Sequence, residues 1–475
     1  MHTVKQALGK IWDDTVEHSV AQGRAALAEV GLCGIALQDA IAAARMRRAQ
    51  EAVACAVSVS CTKPRPECAV DRVLTGRRTA FPFMLMLLGT VLFFTVAVTN
   101  LPSAWLGALF ATVGEHLRNA LLWAQAPPWL IGLLLDGIYG VLTTVVAVML
   151  PPMLIFFTLF TLLEDVGYLP RVAYNLDRPL CRCHACGKQA LTLCMGLGCN
   201  AVGVTGCRII DSPRERLLAI LTNCLVPCNG RFPTMIALIT VFFAGAVQGI
   251  AESLTVAAVL TGVILLGVLA TLACTYVLSV TLLRGTASAF VMELPPYRAP
   301  RMGKALLCTV ADKAWHVLGR AVVVAAPAGA VLFVLAELRV GGASLLAHAA
   351  AFLEPFGRFL GLDGAILLGF VLGTPANEIV LPIVLMIYLS TGTVPAVGGA
   401  EALGEVLRAN GWSALTALCF LLFSLMHWPC ATTVLTVKRE TESLKWTAVA
   451  VLLPTLLGIA ACALVNAIAH LAGLV

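Results

Sequence analysis

Charged residues are scarce in this sequence of 475 residues. Asp, Glu, Lys and Arg together make up 12% of it, about half of their share in an average soluble domain. Hydrophobic residues reach 59%, and the mean hydropathy is +0.91. A water-soluble chain of this size cannot bury so much apolar surface, which argues against a soluble enzyme, a disordered chain or a nucleic-acid-binding protein. We therefore predict an all-α polytopic protein whose main partner is the lipid bilayer.

Catalytic motifs are missing as well. The sequence contains no G-x-x-x-x-G-K-[ST] loop that could cradle phosphate groups, and no H-E-x-x-H zinc motif. Nor does it place a Ser/His/Asp grouping at an expected membrane surface. We therefore expect a chain that is not an enzyme. Cysteine is not scarce, with 17 residues, but many of them lie inside apolar segments, which does not fit a secreted disulfide framework.

Apolar segments long enough to cross about 30 Å of hydrocarbon recur along the chain. They lie at about 80–101, 137–163, 217–243, 255–283, 315–337, 412–436 and 446–474. Together with two further apolar stretches they predict about seven to nine transmembrane helices. Residues 1–79 are predicted to form a cytoplasmic helical spacer, since basic residues cluster just before the first span. The segment 102–136 has one basic residue and three tryptophans, which predicts an interfacial helix on the outer side.

Two apolar stretches do not alternate sides. Basic residues flank 189–207 at both ends, which places both ends in the cytoplasm, whereas 364–390 lies between two weakly basic loops, 339–363 and 391–411, that we expect outside. Each stretch should enter the membrane and return, and a spanning segment follows each. This pattern is typical of an inverted repeat with broken helices.

A repeated dipeptide supports two membrane halves, 80–290 and 291–475. Pro227-Cys228 falls in the span after the first dip, and Pro429-Cys430 falls in the span after the second, 430 − 228 = 202 residues later. The chemistry of each half should then centre on about 189–243 and 364–436.

The first dip reads Met-Gly-Leu-Gly-Cys-Asn. Gly196 and Gly198 permit a helix break and a close backbone approach, and the break would free carbonyl groups for a cation next to Cys199 and Asn200. Irregular backbone at membrane depth is tolerated only where it is buried in protein or lines a cavity. The alternative is a glycine face for helix packing.

The second dip reads Gly-Thr-Pro-Ala-Asn-Glu. Pro375 should break the helix, because it has no N–H to donate, and Asn377 and Glu378 follow it. A carboxylate in the middle of a membrane helix costs about 2.5–3.5 kcal/mol, a cost that is seldom carried without a function. The alternative is an interfacial carboxylate that pairs with a basic group.

Sulfur and oxygen ligands therefore accompany both breaks. A buried cysteine is more often a small hydrophobic residue than a ligand, but Cys199, Cys228, Cys430 and Glu378 all fall near the broken segments. Thiolate, carboxylate and amide oxygen suit Fe²⁺, Mn²⁺, Co²⁺ or Zn²⁺ better than Mg²⁺ or Ca²⁺.

A second candidate lies just before the first dip. Cys181, Cys183, His184 and Cys186 have metal-ligand spacing in an expected cytoplasmic loop. They predict either an accessory metal cluster that captures or senses an ion, or an unmetallated loop that is prone to oxidation.

These residues resemble the membrane region of the ferrous iron transport protein B (FeoB) family over about 71–470. The residues that carry the resemblance are Asp71 to Thr75, Glu164 and Asp165, Gly196 to Asn200, Arg231 and Pro233, Glu293 to Arg298, and Pro429-Cys430 with the segment up to Trp446. Two departures are the Ala376-Asn377-Glu378 sequence, where the family has Ala-Lys-Glu, and the cluster at 181–186.

The resemblance implies a permease built from two Gate repeats in a bacterial inner membrane, with the N-terminus in the cytoplasm. Fe²⁺ would be its transported substrate, with no permanently bound cofactor, and would pass a constriction that Cys199, Asn200, Cys228, Cys430 and Glu378 surround near the midplane. The family's GTP-binding domain is not visible in this sequence, so we expect a split system with a separate small G protein and a small SH3-like partner.

Three points stay open at this stage. The cargo could be another divalent metal or a nucleoside-like solute, because a Gate-type fold also resembles nucleoside transporters. The chain could instead be a membrane metal sensor that transports nothing. The oligomeric state is open between a monomer and a homo-oligomer.

Overall fold

The structure is a computed structural model that describes residues 14–29, 34–56, 66–76, 78–245, 250–284, 296–297, 303, 319, 322–323, 325–340, 342–389 and 399–473. Nearly all of these residues are helical. Within these ranges the strands are confined to one short antiparallel pair, Arg339–Val340 with Ala343–Ser344.

The helices are named here in chain order. They are α1 Asp14–Glu29, α2 Gly34–Ala56, α3 Pro66–Leu74, α4 Ala80–Trp123, α5 Pro128–Val166, α6 Tyr168–Arg182, α7 Lys188–Gly198, α8 Asn200–Gly206, α9 Pro213–Thr222, α10 Phe232–Phe242, α11 Ile250–Val280, α12 Ala325–Glu337, α13 Leu345–Phe359, α14 Gly364–Leu372, α15 Val380–Leu389, α16 Gly399–Ala409, α17 Ala414–Met426, α18 Ala431–Thr441 and α19 Leu444–Leu471. Residues Gly132–Tyr139 of α5 are π-helical.

The described residues contain five helical segments that are long and apolar enough to cross a membrane. They are Pro128–Val166, Pro213–Phe242, Ala251–Val280, Ala414–Thr441 and Leu444–Leu471. A sixth is added if α13 and α14, which meet at a bend of 110°, form one span, and shorter apolar helices occupy Ala80–Thr95, Ala325–Glu337 and Asn377–Leu389. The prediction of an all-α polytopic membrane protein is confirmed.

The segment after the first span differs from the expectation. Helix α4 runs without interruption for 44 residues and contains Pro102, so at 1.5 Å per residue it is about 66 Å long. Residues 102–123 therefore continue the first apolar helix, because the helical hydrogen-bonding pattern runs through the proline; the interfacial position of 102–136 stays a prediction. The indole rings of Trp105 and Trp123 are exposed on its outer part. The expected loops 339–363 and 391–411 likewise contain helices α13 and α16.

Each half of the membrane region contains a helical hairpin followed by a broken span. The first hairpin is α7 and α8 (188–206), and the first broken span is α9 and α10 (213–242). The second hairpin is α14 and α15 (364–389), and the second broken span is α17 and α18 (414–441). The two hairpins therefore occupy the predicted segments 189–207 and 364–390 to within a residue, and a broken span follows each; the side from which each hairpin enters the membrane stays a prediction.

The two halves share one apolar core. Phe232 and Met235 of the first broken span pack in the same cluster as Ile366 and Phe370 of the second hairpin and as Phe420 of the second broken span. Helices α8 and α18 also pack against each other. Near the ends of these two helices, Arg208 donates two hydrogen bonds to the Glu440 carboxylate, at 2.8 and 2.7 Å.

Candidate functional site

The two hairpins break at equivalent residues. Cys199 has extended backbone angles (φ −155°, ψ 122°) between α7 and α8, and Ala376 has nearly the same angles (φ −149°, ψ 120°) before the short turn that starts α15. An asparagine follows in both cases, Asn200 in one hairpin and Asn377 in the other. The two breaks are therefore repeats of one local structure, and Glu378 in the second stands where the first has Ala201.

The two broken spans also match. Cys228 (φ −85°, ψ 165°) precedes the turn Asn229–Arg231, and Cys430 (φ −60°, ψ 157°) precedes helix α18. The preceding residues, Pro227 and Pro429, have no N–H to donate, so they cannot continue the helices before them. Pro375 plays the same part in the second hairpin, between the end of α14 and Ala376.

These breaks meet in the middle of the bundle. Cys199 lies near enough to interact electrostatically with Cys228 and Cys430, and Cys228 interacts with Cys430 and with Glu378. The Glu378 carboxylate lies directly against Gly230, where a Cβ would be 3.0 Å from its Cδ atom and closer still to Oε1. The structure therefore places the three thiols and the carboxylate that the sequence singled out in one region of the bundle, within electrostatic range of one another.

Asn223 joins the first hairpin to the first broken span. Its Nδ2 donates to the Asn200 carbonyl at 3.1 Å. When the Asn200 amide is oriented with its nitrogen toward neighbouring carbonyls, that nitrogen donates to Gly196 O at 3.1 Å and to Val226 O at 3.3 Å. These bonds hold the two backbone breaks side by side.

The glycines of the first dip act differently from the expectation. The helix breaks at Cys199 and not at Gly196 or Gly198, which both lie in α7. A Cβ on Gly196 would be 2.9 Å from Asn223 Oδ1, and one on Gly198 would be 2.9 Å from the Phe157 ring. Here glycine provides space for neighbouring side chains.

A buried cation bridges the two halves. Arg231, 1% exposed, donates from Nη1 to the Leu425 carbonyl at 2.9 Å and from Nη2 to the Trp428 carbonyl at 3.4 Å. Arg231 thereby satisfies carbonyls at the unwound end of α17, and its charge acts on both Cys228 and Glu378. The guanidinium therefore partly compensates the carboxylate of Glu378.

His427 belongs to this region, and the sequence reasoning missed it. It is buried beside the second break, with Nδ1 3.0 Å from the Ser424 carbonyl and Nε2 3.4 Å from Asn377 Oδ1. The next residue, Trp428, donates from its indole N–H to Thr374 Oγ1 at 2.9 Å. An ionisable residue inside a membrane helix is itself a signal of function, and His427 stands three residues before Cys430.

No preassembled metal cage exists among the described residues, where no three His, Cys, Asp or Glu side chains converge closely enough to hold one ion. The ligand roles of Cys199, Cys228, Cys430 and Glu378 therefore stay predictions.

The Cys181–Cys186 cluster lies near two carboxylates, Asp177 and Glu215. Burial, together with nearby Asp177, raises the pKa of the Cys181 thiol to about 11, and burial with Glu215 raises the pKa of Cys186 to about 12. His184 stacks on the ring of Tyr276 and has a positive φ of 58°. The proposed role of Cys183 and its neighbours in holding a metal stays a prediction.

The remaining residues that carry the resemblance lie at a junction of α3, α5 and α6. Glu164 and Asp165 end α5, and the left-handed Gly167 (φ 86°) follows as its C-terminal cap. Arg171 donates to the Gly167 carbonyl at 2.8 Å and to Asp71 of α3 at 3.1 Å. Tyr297 donates to the same Asp71 oxygen at 2.6 Å and packs 4.1 Å beneath the Arg171 guanidinium. Glu293, the other residue of this set, lies outside the described residues.

Two protein-family models match the chain. One, described as ferrous iron transport protein B C terminus, matches residues 260–311. The other, the Gate model described as nucleoside recognition, matches residues 146–243 and 318–444. Each of the two Gate segments contains one hairpin and one broken span.

Curated relatives match over most of the chain. It is 28% identical over 401 residues to the Fe(2+) transporter FeoB of Staphylococcus aureus (strain MSSA476), covering 81% of this chain and 56% of the relative. It is 26% identical over 420 residues to the Fe(2+) transporter FeoB of Methanocaldococcus jannaschii, covering 85% and 58%.

A third relative, from Porphyromonas gingivalis, is named Fe(2+) transport protein A/Fe(2+) transporter FeoB fusion protein. It is 24% identical over 424 residues, covering 79% of this chain and 48% of the relative. The chain thus spans about half the length of the curated relatives it matches. No solved structure matches it.

Proposed function

The chain belongs to the FeoB family as a membrane region of that family, and from this premise we propose that it carries ferrous iron into the cytoplasm across a bacterial inner membrane. The names of its relatives support this cargo. A multi-pass membrane protein of a transporter family is not expected to be an enzyme. Arg72 and Arg78, just before α4, support a cytoplasmic N-terminus.

One observation carries the proposal. Three thiols from three separate backbone breaks, Cys199, Cys228 and Cys430, lie within electrostatic range of one another, and Glu378 lies beside Cys228. Fe²⁺ is a borderline ion that accepts sulfur as well as oxygen ligands. Thiols, one carboxylate and free carbonyls can therefore replace the water ligands of Fe²⁺ one after another as the ion passes.

The charges fit transient binding. Arg231 offsets the carboxylate of Glu378, so the site carries little net charge until an incoming dication favours loss of thiol protons. This balance permits release as well as binding. Inward movement of a dication through 100 mV releases about 2 × 2.3, or roughly 4.6 kcal/mol, so the membrane potential can drive the transport.

Uptake of Fe²⁺ into proteoliposomes under reducing conditions tests the proposal. Cys228→Ser and Cys430→Ser replace sulfur by a harder oxygen ligand, and we expect each to lower the maximal rate on the order of tenfold or more. Cys274→Ser is the matched control, because Cys274 is also a buried thiol in a membrane helix but lies outside this group. Equal rates for all three variants would contradict the proposed role of the thiols.

A nucleoside-like cargo is the second candidate, since the description of the Gate model favours it. Uptake of uridine, Mn²⁺ or Zn²⁺ by the same vesicles, measured in place of Fe²⁺ uptake, distinguishes the cargoes. Uridine transport without metal transport would replace the iron proposal. A preference for Mn²⁺ or Zn²⁺ would leave the proposed mechanism in place and change only the transported ion. Asn377, where the resemblance leads us to expect lysine, is compatible with such a change.

A membrane metal sensor is the third candidate. A sensor would keep its activity in the Cys199→Ser and Cys430→Ser variants and lose it when Cys183 or Cys186 is changed. A transporter would show the reverse pattern.

The partners form a separate part of the proposal. The fusion relative supports a small accessory protein, and we propose that nucleotide hydrolysis, where it affects transport, takes place on a separate G protein that gates the permease. Adding such a G protein to the vesicles should then change the uptake rate in the presence of GTP. An uptake rate independent of GTP and of any added protein would remove this part of the proposal.

A further inference from the structure

A cavity of about 300 Å³ lies between helices α4, α5, α10 and α11, beside the Cys228–Asn229 break. Apolar residues form most of its wall, namely Leu92, Pro152, Phe232, Pro233, Ile236, Ala237 and Leu260. Its polar lining consists of four side chains, Thr95, Thr99, Ser103 and Asn229. In the orientation proposed above, the cavity extends from the central breaks toward the outer side.

Three of the four polar residues form one row on α4. Thr95, Thr99 and Ser103 are spaced by four residues, so they follow one another along a single face of the helix. Asn229, which directly follows Cys228 in the sequence, lines the same cavity. The four polar side chains therefore form the oxygen-bearing part of a wall that reaches the residue next to the first thiol of the site.

The polar atoms in the cavity act as acceptors. Thr95 Oγ1 donates its proton to the Val91 carbonyl at 2.8 Å, and Thr99 Oγ1 donates to the Thr95 carbonyl. Each hydroxyl oxygen keeps lone pairs that are free to accept. Asn229 is 2% exposed, and its Oδ1 has no hydrogen-bond partner. Ser103 is partly buried, and its Oγ also has no hydrogen-bond partner.

The hydroxyl protons of Thr95 and Thr99 are used within α4, so these two residues offer only lone pairs to the cavity, which suits a cation better than an anion. Two further buried oxygens without partners, in Ser103 and Asn229, indicate a site that is built to receive a ligand. The volume is also adequate. At about 30 Å³ of liquid volume per water, a dication with six waters needs roughly 180 Å³.

We propose that this cavity is an outer loading site, where Thr95, Thr99, Ser103 and Asn229 hold a hydrated divalent cation before its water is exchanged for the Cys228 thiolate. The inference rests on the proposed transport function. Neutral oxygens bind the hydrated ion weakly, which allows it to move on, and sulfur replaces water only at the next step.

The test is the dependence of Fe²⁺ uptake on its outside concentration. The double variant Thr99→Val/Ser103→Ala removes two oxygens with little change in volume, and we expect its half-saturating concentration to rise about tenfold. Its maximal rate should stay within about twofold, because the thiols are intact. The matched control is Thr90→Val/Thr112→Val, which changes two exposed threonines of the same helix and should leave both parameters unchanged.

A second double variant, Thr99→Ser/Ser103→Thr, keeps both oxygens and should behave as the wild type, which separates ligand loss from a packing defect. An unchanged half-saturating concentration in Thr99→Val/Ser103→Ala would overturn the loading site and leave the transport function intact. A lower maximal rate with unchanged half-saturation would overturn it as well. Absence of Fe²⁺ uptake by the wild-type chain would instead refute the proposed function itself.

Discussion

Substitution of Gly230 by alanine should displace the carboxylate of Glu378 without unfolding the protein. The new Cβ would be 3.0 Å from Cδ of Glu378 and nearer to its Oε1, whereas carbon and oxygen ordinarily approach to about 3.3–3.6 Å. Oε1 must therefore withdraw by about 1 Å. The atom that has to move is the far end of a flexible side chain, so the effect on folding should be small.

The effect on transport should be much larger. A misplacement of about 1 Å at a reacting centre can cost on the order of 100-fold in rate, and we expect Fe²⁺ uptake by Gly230→Ala to fall at least about tenfold. Aspartate in place of Glu378 is shorter by one carbon–carbon bond of about 1.5 Å. The double variant Gly230→Ala/Glu378→Asp should therefore recover part of the lost rate.

Gly262→Ala is the matched control, because a Cβ at this position on α11 meets no atom within 4 Å. It should leave uptake unchanged, and the thermal unfolding of both alanine variants in detergent should resemble that of the wild type. Wild-type uptake by Gly230→Ala would refute the placement of Glu378 in the transport path. A slow Gly230→Ala variant that the aspartate does not improve would refute the steric reasoning.

Two further predictions concern the contacts around the site. Gly203→Ala places a Cβ 2.6 Å from Asn223 Nδ2 and 2.9 Å from the Thr192 carbonyl. Because one of these atoms is backbone, we expect the free energy of unfolding to fall by about 1–3 kcal/mol, measured as a lower unfolding temperature. An unchanged temperature would show that the first hairpin can shift freely. At the junction of α3 and α6, burial opposes ionisation of Asp71, but hydrogen bonds from Arg171 and Tyr297 and the charge of Arg171 outweigh it and lower the pKa of Asp71. A lowered carboxylate pKa stabilises the folded state above the ordinary value of about 3.9 and ceases to do so as the pH falls through the lowered value. Proteolysis at α3 should therefore increase as the pH falls below about 4, and the Asp71→Asn variant should show no such step; a step of equal size in the variant would assign the change to another group.

The two halves are equivalent in backbone and different in chemistry. Asn200 and Asn377 follow matching extended residues, yet Cys199 corresponds to Ala376 and Ala201 corresponds to Glu378. One hairpin therefore contributes a thiol and the other a carboxylate to the same region. The repeated backbone brings the breaks together, and the unequal side chains give the site both sulfur and oxygen.

The partners of the two asparagines also differ. Asn200 is held by carbonyls of its own half and by Asn223, whereas Asn377 faces His427 at 3.4 Å. His427 thus supplies a nitrogen beside Asn377. Because Asn377 is neutral, it adds no charge to that of Arg231, which is buried near Glu378. Under the proposed function, a dication that enters the site would then meet less positive charge than with a basic residue at position 377.

The sequence by itself determined the class of the protein and the positions of its breaks. Low charge and long apolar segments admit only a membrane protein, and the basic residues around 189–207 and the weakly basic flanks of 364–390 place both hairpins to within a residue or two of their observed limits. Proline before cysteine marked both broken spans, because a missing N–H interrupts a helix in any context. These features are local, so the sequence is sufficient to predict them.

Only the tertiary structure decided which of these residues meet. Cys199, Cys228 and Cys430 stand on three breaks that are far apart in the sequence, and the packing of the two halves brings them into electrostatic range. The same packing brings the side chain of Asn223 against Gly196, where a Cβ would not fit, and places His427 beside Asn377. It also leaves the oxygens of Ser103 and Asn229 without partners in one cavity. Contacts of this kind depend on side chains from distant segments, and the periodicity of a single helix holds no information about them.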